Sequence, residues 1–203
     1  MAKTSLVNVT YYNKTIKNQP LQVLRLALSI HGWIIFQSRN LSTTFNFNRT
    51  WAEFSNGFGE TTSDNFYLGN ELLSQLTSAR PYSLRVEFLS NGAWYSAEYL
   101  RVTVNNSSLG YALYVAGYSG DAGDSLSSSN GLRFSTYDAS ASVDGSASSK
   151  CYSIMSGWWY NCTTPMSNLN NPFKGILWNT LKAAQSNGLA ITYTRMMIRP
   201  RDV

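Results

Sequence analysis

Between Tyr82 and Leu89 the apolar residues Leu84, Val86 and Phe88 alternate with Ser83, Arg85 and Glu87. A period of two is the signature of a half-buried antiparallel strand, with one face dry and the other wet. Asn91-Gly92 follows directly and is a strong hairpin signal, because a tight two-residue turn needs positive φ at both positions. Two further β-rich segments come in quick succession, Ala93 to Val104 and Tyr111 to Tyr118. The centre of the chain is therefore expected to be an antiparallel sheet, and the rest has to pack around it.

On the amino-terminal side, Trp33 to Arg39 has the β-branched and aromatic content of a core strand. A helix is expected over Thr50 to Phe54, with Asn48 as its N-cap and Asn56-Gly57 as its stop. A second short helix is expected from Glu71 to Leu76, capped by Asn70, with Leu72, Leu73 and Leu76 on one face. Composition changes at Gly120, and up to Lys150 the chain is dominated by Ser, Gly, Ala and Asp around the apolar island Leu132 to Tyr137. Such residues do not build a packed core, so a long ordered loop region is expected there. Ile176 to Ala184 reads as a short helix and Ile191 to Ile198 as a terminal strand. At 203 residues, with no internal repeat, heptad pattern or linker, the chain is expected to form one α+β domain over 1–203.

Charged residues are only 13% of the chain and aromatics 14%, which suits a turn-rich secreted β protein better than a charged cytosolic one. The net charge of +5 would permit an acidic ligand, but the basic residues are scattered singly apart from Arg195, Arg199 and Arg201, so nucleic acid is not expected as a partner. No stretch reaches the roughly 20 apolar residues of a membrane-spanning helix. The most apolar early segment, Leu21 to Phe36, is interrupted by Arg25, Ser29 and His31 and reads as a strand pair rather than a signal peptide. Asn-x-Ser/Thr sequons begin at Asn8, Asn13, Asn40, Asn48, Asn105, Asn106 and Asn161, and glycan attachment at any of them would place it on the surface of a secreted protein. Cys151 and Cys162, eleven positions apart, read as one local disulfide in this context, with two free buried thiols as the alternative. His31 is the sole histidine and has no carboxylate within ten residues, so it reads as structural and a histidine-based catalytic site is not expected.

A series of uncommon strings occurs in a fixed order. Gly32-Trp33 precedes Gln37-Ser38-Arg39; Phe47-Asn48-Arg49-Thr50-Trp51 leads to Asn56-Gly57-Phe58-Gly59, then Leu68-Gly69-Asn70-Glu71 and Leu84-Arg85-Val86. Gly120-Asp121-Ala122-Gly123-Asp124, Phe134-Ser135-Thr136-Tyr137-Asp138, Gly157-Trp158-Trp159-Tyr160-Asn161 and Asn168-Leu169-Asn170 follow, closed by Gly175-Ile176-Leu177-Trp178 and Met196-Met197-Ile198-Arg199-Pro200. From about Gly32 to Pro200 this order resembles the fibrinogen C-terminal-like domain of ficolins, tachylectins, angiopoietins and tenascins. The resemblance implies a central antiparallel sheet, short helices and a long loop region near the C-terminal end that carries the ligand site. It also implies that Cys151 and Cys162 are the family's C-terminal disulfide. A further disulfide usual in the family's first third has no counterpart, since residues 1–31 contain no cysteine.

The resemblance also bears on ligands. In the family an Asp-x-Asp-x-Asp run supplies the charged oxygens of a calcium site. Here Asp138 keeps the first position, Ser140 and Ser142 replace the later ones, and Asp144 follows, so the site is expected to be lost and no cofactor retained; a rebuilt site on Asp138 or Asp144 is the alternative. Trp158 and Trp159 are expected in the core, Tyr160 partly exposed, and Tyr160, Trp178 and Thr163 are the candidate ligand-binding residues. The acetyl-group pocket of lectin relatives falls on Met155, Thr163, Pro172 and Ala184, which leave its wall open. The expected function is a non-catalytic extracellular module that binds a protein partner or copies of itself, with a glycan-binding lectin as the alternative.

Overall fold

A computed structural model describes residues 32–60, 64–139, 156–164, 166–171, 175–181 and 191–201. His31, the sequons at Asn8 and Asn13, and the early part of the Leu21 to Phe36 segment lie outside the described residues. The strands are β1 (Ile34–Asn40), β2 (Phe58–Glu60), β3 (Asn65–Tyr67), β4 (Tyr82–Ser90), β5 (Ala93–Val104), β6 (Leu113–Gly120), β7 (Ser167–Asn168), β8 (Leu177–Trp178) and β9 (Ile191–Pro200). Seven of them form one sheet in the order β2-β3-β1-β9-β4-β5-β6, with every pairing antiparallel. The last strand of the chain, β9, thus lies in the middle of the sheet between β1 and β4. Asn91 and Gly92, both with positive φ (50° and 76°), make the expected tight turn between β4 and β5.

The alternation in β4 holds, but its second face is only partly wet. Leu84, Val86 and Phe88 are buried on the core side, and Ser83 and Glu87 are buried on the other. Charges on that side pair with one another, with Arg85 and Glu98 still partly open to water: the Arg85 guanidinium lies 2.7 Å from Glu87 and 3.0 Å from Glu98, and Arg195 on β9 donates to the other Glu87 oxygen at 2.6 Å. Arg195 also stacks 4.9 Å over the Trp94 ring. A carboxylate can be buried this way because two guanidiniums satisfy its lone pairs.

Two short helices flank the sheet, α1 (Trp51–Asn56) and α2 (Asn70–Ala79). The cap of α1 is Thr50, not Asn48. The Thr50 hydroxyl accepts from Glu53 N–H at 3.2 Å and the Glu53 carboxylate accepts from Thr50 N–H at 2.8 Å, a reciprocal capping box that outcompetes a lone asparagine. At α2 the cap position is Gly69, with no side-chain cap; the Asn70 side-chain Oδ1 instead accepts from the Tyr67 hydroxyl at 2.6 Å. Leu73 and Leu76 are buried and Leu72 only partly. Strand β6 starts two residues later than expected, because Gly110 and Tyr111 both take left-handed conformations after a 3-10 turn at Ser107–Leu109. No helix forms over Ile176 to Trp178: Leu177–Trp178 pairs with Ser167–Asn168, and residues 182–184 lie outside the described part.

The loop region after Gly120 also departs from expectation, because its described part does enter the core. Ala122, Leu126 and Phe134 are fully buried beside the sheet's own residues. Phe54 of α1 meets Phe58, Tyr67 and Phe134 with ring centroids 5.0 to 5.1 Å away, and Phe134 passes the contact on to Trp159 at 5.0 Å. Small residues around one large aromatic let a loop close on a sheet without leaving a void.

Candidate functional site

The loops at 121–139, 156–164, 166–171 and 175–181 are tied to one another and to the sheet by polar contacts spanning long stretches of chain. Trp158 exchanges both backbone hydrogen bonds with Ser135, at 3.0 Å each. Trp159 Nε1 donates to the Tyr111 carbonyl at 2.8 Å, and Ser129 Oγ donates to the Trp159 carbonyl at 2.8 Å. Gly157, which precedes the tryptophans, has φ +76°, and a Cβ there would lie 2.1 Å from the Phe54 ring. Glycine is thus required both by the backbone twist and by the approach of the ring. Trp158 and Trp159 are core residues, as expected.

Of the three candidate ligand-binding side chains, Trp178 is corrected to a core residue. It is buried, its ring lies 4.9 Å from Phe88, and its Nε1 donates to the carbonyls of Ala122 (3.2 Å) and Gly123 (3.0 Å). Tyr160 is partly exposed, but its hydroxyl points inward: it accepts from Ser156 N–H at 2.8 Å and from Asn168 Nδ2 at 3.2 Å. Burial pushes its phenol pKa above the ordinary tyrosine range. Thr163 is exposed, and its backbone N–H donates to Asn161 Oδ1 at 3.1 Å. The structure therefore leaves Thr163 and one part of Tyr160 on the surface and puts Trp178 in the core. Residues 155, 172 and 184 of the expected pocket wall, and Cys151, lie outside the described residues.

Three side chains that hold this region went unnoticed individually in the sequence. Arg39 on β1 is buried and donates through Nη1 to the carbonyls of Leu169 (2.9 Å) and Asn171 (2.8 Å). Desolvation lowers its guanidinium pKa. Gln37 Nε2 donates to Asn170 Oδ1 at 3.2 Å, and Asn170 Nδ2 donates to the Gly157 carbonyl at 2.9 Å. The only signal for these contacts was membership of the strings Gln37-Ser38-Arg39 and Asn168-Leu169-Asn170, which carry no information about which atoms meet.

The carboxylates here are structural in their contacts. Asp138 Oδ1 accepts from Trp51 N–H at 2.9 Å and from Thr136 Oγ1 at 2.7 Å, so the residue at the first calcium position caps α1. Asp124 Oδ1 accepts from the Tyr99 hydroxyl at 2.7 Å and from Ser127 N–H at 3.0 Å, and Asp121 Oδ1 from Ser96 N–H at 2.7 Å. Burial and the Asp124 carboxylate together push the Tyr99 phenol pKa up. No group of three or more His, Cys, Asp or Glu able to hold a metal occurs among the described residues, and Asp144 lies outside them. Among the sequon asparagines, Asn106 is exposed and Asn40, Asn48, Asn105 and Asn161 are partly exposed.

The model of the C-terminal globular domain of fibrinogen beta and gamma chains matches residues 2–201. The chain is 36% identical over 183 residues to fibrinogen-like protein A of Apostichopus parvimensis, covering 85% of this chain and 62% of that protein. It is 34% identical to angiopoietin-1 of Homo sapiens (84% of this chain, 35% of the relative) and to tenascin of Gallus gallus (94% and 10%). It thus spans less than two thirds of each of these relatives. The fibrinogen-like globe domain of human ANGPTL2 superposes with a TM-score of 0.73 at 30% identity, over 84% of this chain and 81% of that one. Lamprey fibrin D-dimer, in complex with the peptide Gly-His-Arg-Pro-amide, gives 0.68 at 26% identity over 84% and 62%.

Proposed function

The chain belongs to the family of the C-terminal globular domain of fibrinogen beta and gamma chains, and on that premise we propose that it is a non-catalytic, secreted extracellular module that binds a protein partner or copies of itself. The observation that carries this reading is the division among the aromatic side chains. Phe134, Trp158, Trp159 and Trp178 of the loop region are spent inside the domain, whereas Trp94, Tyr114 and Tyr118 on the sheet and Tyr137 in the loop region are exposed, Trp94 at 48% and Tyr137 at 53%. Tyrosine and tryptophan on an otherwise low-charge surface are what protein interfaces enrich, because they bury a large area at little cost in side-chain entropy. The lamprey fibrin complex adds that this fold can hold a peptide. No helix among the described residues is long and apolar enough to cross a membrane.

Several finer points belong to the same reading. Cys162 carries no free thiol, which supports its pairing with Cys151. Glycans on some of Asn40, Asn48, Asn105, Asn106 and Asn161 fit their exposure. Calcium is not required, because Asp138 is committed to α1 and serines replace its neighbours. Size-exclusion chromatography with light scattering tests self-assembly: a mass at a multiple of 22.6 kDa is expected, after correction for glycan. A strict monomer that gives micromolar hits on the uncharged sugars of a glycan array, with calcium or with chelator, would replace this reading by the lectin alternative.

A further inference from the structure

Nine arginines are described, and their partners divide them. Arg49, Arg85 and Arg195 pair with carboxylates, and Arg39 is buried against backbone carbonyls. Of the five without a carboxylate partner among the described residues, three line one cavity of about 610 Å³: Arg80, Arg101 and Arg201. Arg80 follows the last residue of α2, Arg101 lies where the pairing of β5 with β4 shifts register, and Arg201 follows β9. Arg201 is held in place, its N–H donating to the Pro81 carbonyl at 3.0 Å and its Nη1 to the Leu100 carbonyl at 3.0 Å. Arg80 rests against the Tyr82 ring at 5.7 Å. Ser78 and Thr103 add hydroxyls to the described lining, which contains no Asp or Glu.

We propose that this cavity binds a sulfated sugar segment, with Arg80, Arg101 and Arg201 gripping its sulfate groups and the Ser78 and Thr103 hydroxyls meeting its ring hydroxyls. A guanidinium has five N–H donors in a planar fork that matches tetrahedral oxyanions bidentately. Arg201 commits one nitrogen to Leu100, and the rest of its fork has no carboxylate partner among the described residues. The volume is that of a site for a ligand of several rings rather than a single ion. Single-stranded nucleic acid needs exposed aromatic platforms for base stacking, and the one aromatic in the lining, Tyr82, is buried. A bilayer needs several large apolar side chains that can enter it, and Val102 and Tyr82 are both buried, leaving Pro81 as the exposed apolar residue of the described lining. The proposal does not depend on the protein-binding reading above, which concerns the exposed aromatic side chains.

The test titrates a heparin-derived octasaccharide into the intact chain at physiological salt and at two higher salt concentrations. The double variant Arg80→Gln, Arg101→Gln is compared with Arg133→Gln, Arg199→Gln, which removes the same charge elsewhere. The expected result is at least a tenfold loss of affinity in the cavity variant and a shallower salt dependence, with the control within twofold of the parent chain. Both cavity arginines are exposed, so melting temperatures should match; if the double variant does not fold, Arg101→Gln alone carries the comparison. Absence of octasaccharide binding by the parent chain would overturn the proposal, and so would equal losses in the two double variants, which would mean a diffuse field. Displacement by millimolar inorganic sulfate or phosphate would reduce the cavity to a single-ion site. Arginine-dependent binding to phosphatidylserine vesicles or to single-stranded DNA, with none to the octasaccharide, would refute the sugar assignment.

Discussion

Gly92 and Gly157 have the same backbone twist, φ +76° in both, but opposite surroundings. A Cβ on Gly92 would meet nothing within 4 Å, whereas one on Gly157 would lie 2.1 Å from Cε2 and 2.4 Å from Cζ of Phe54. Alanine at either position bears the cost of a left-handed backbone, about 1 to 2 kcal/mol. At Gly157 an overpacking cost of about 1 to 3 kcal/mol is added. The ring cannot retreat, because Phe58, Tyr67 and Phe134 crowd it from 5.0 to 5.1 Å. Gly157→Ala should therefore lose roughly 2 kcal/mol more than Gly92→Ala, or about 4 to 8 °C in Tm for a domain of this size. Guanidinium and thermal unfolding followed by tryptophan fluorescence measure the difference directly. Adding Phe54→Leu to Gly157→Ala should cost at least about 1 kcal/mol less than the sum of the single changes, because the shortened side chain clears the added methyl. Equal losses at the two glycines, or strict additivity with Phe54→Leu, would refute the close approach as the reason for glycine.

Three other outcomes are expected. Mass spectrometry of a non-reduced digest should recover Cys151 joined to Cys162, and reduction should cost about 3 kcal/mol for a loop of this length, with hydrogen exchange rising mainly between the two cysteines; two free thiols would refute the pairing. Millimolar calcium should leave Tm unchanged within a degree, whereas an ion present at 100 times its Kd would add about 2.7 kcal/mol and be seen at once. Titration calorimetry with N-acetylglucosamine should show no affinity tighter than millimolar, about 4 kcal/mol, because the expected pocket wall lacks its aromatic residues.

The elements legible in the sequence are those whose signal is local. The β4 alternation, the Asn91-Gly92 turn and the β-rich start of β9 each depend on a few consecutive residues, and each strand formed close to where it was expected. The capping of α1 is equally local, since Thr50 and Glu53 have the spacing of a reciprocal cap, but Asn48 two residues earlier is itself a favourable cap residue and competes for the assignment. The burial of the second face of β4 was not legible, because Glu87 reads as solvent-facing until Arg195, 108 positions away, arrives beside it. The loop region after Gly120 failed for a related reason: its small residues read as loop, and Phe134 becomes a core residue only when Phe54 and Trp159 close on it.

The candidate site was the least legible part, and its geometry explains why. A tryptophan in a turn-rich string can stack on a ligand or sink into the core, and for Trp178 the choice depends on carbonyls of Ala122 and Gly123, 56 and 55 positions away, that accept from its Nε1. Once that donor is satisfied inside, exposing the ring would take this donor from the Gly123 carbonyl and put the apolar face in water, so the core state wins. Tyr160 follows the same logic at shorter range, since Ser156 and Asn168 draw its hydroxyl inward and leave only part of its ring outside. The arginine cavity is the converse case. Arg80, Arg101 and Arg201 look isolated along the chain, and only the end of α2, the bulge of β5 and the exit of β9 bring these three arginines, none with a carboxylate partner among the described residues, to one hollow. Cations gathered without carboxylates repel one another, and a bound polyanion relieves that repulsion while their neighbours' hydrogen bonds keep the site in place.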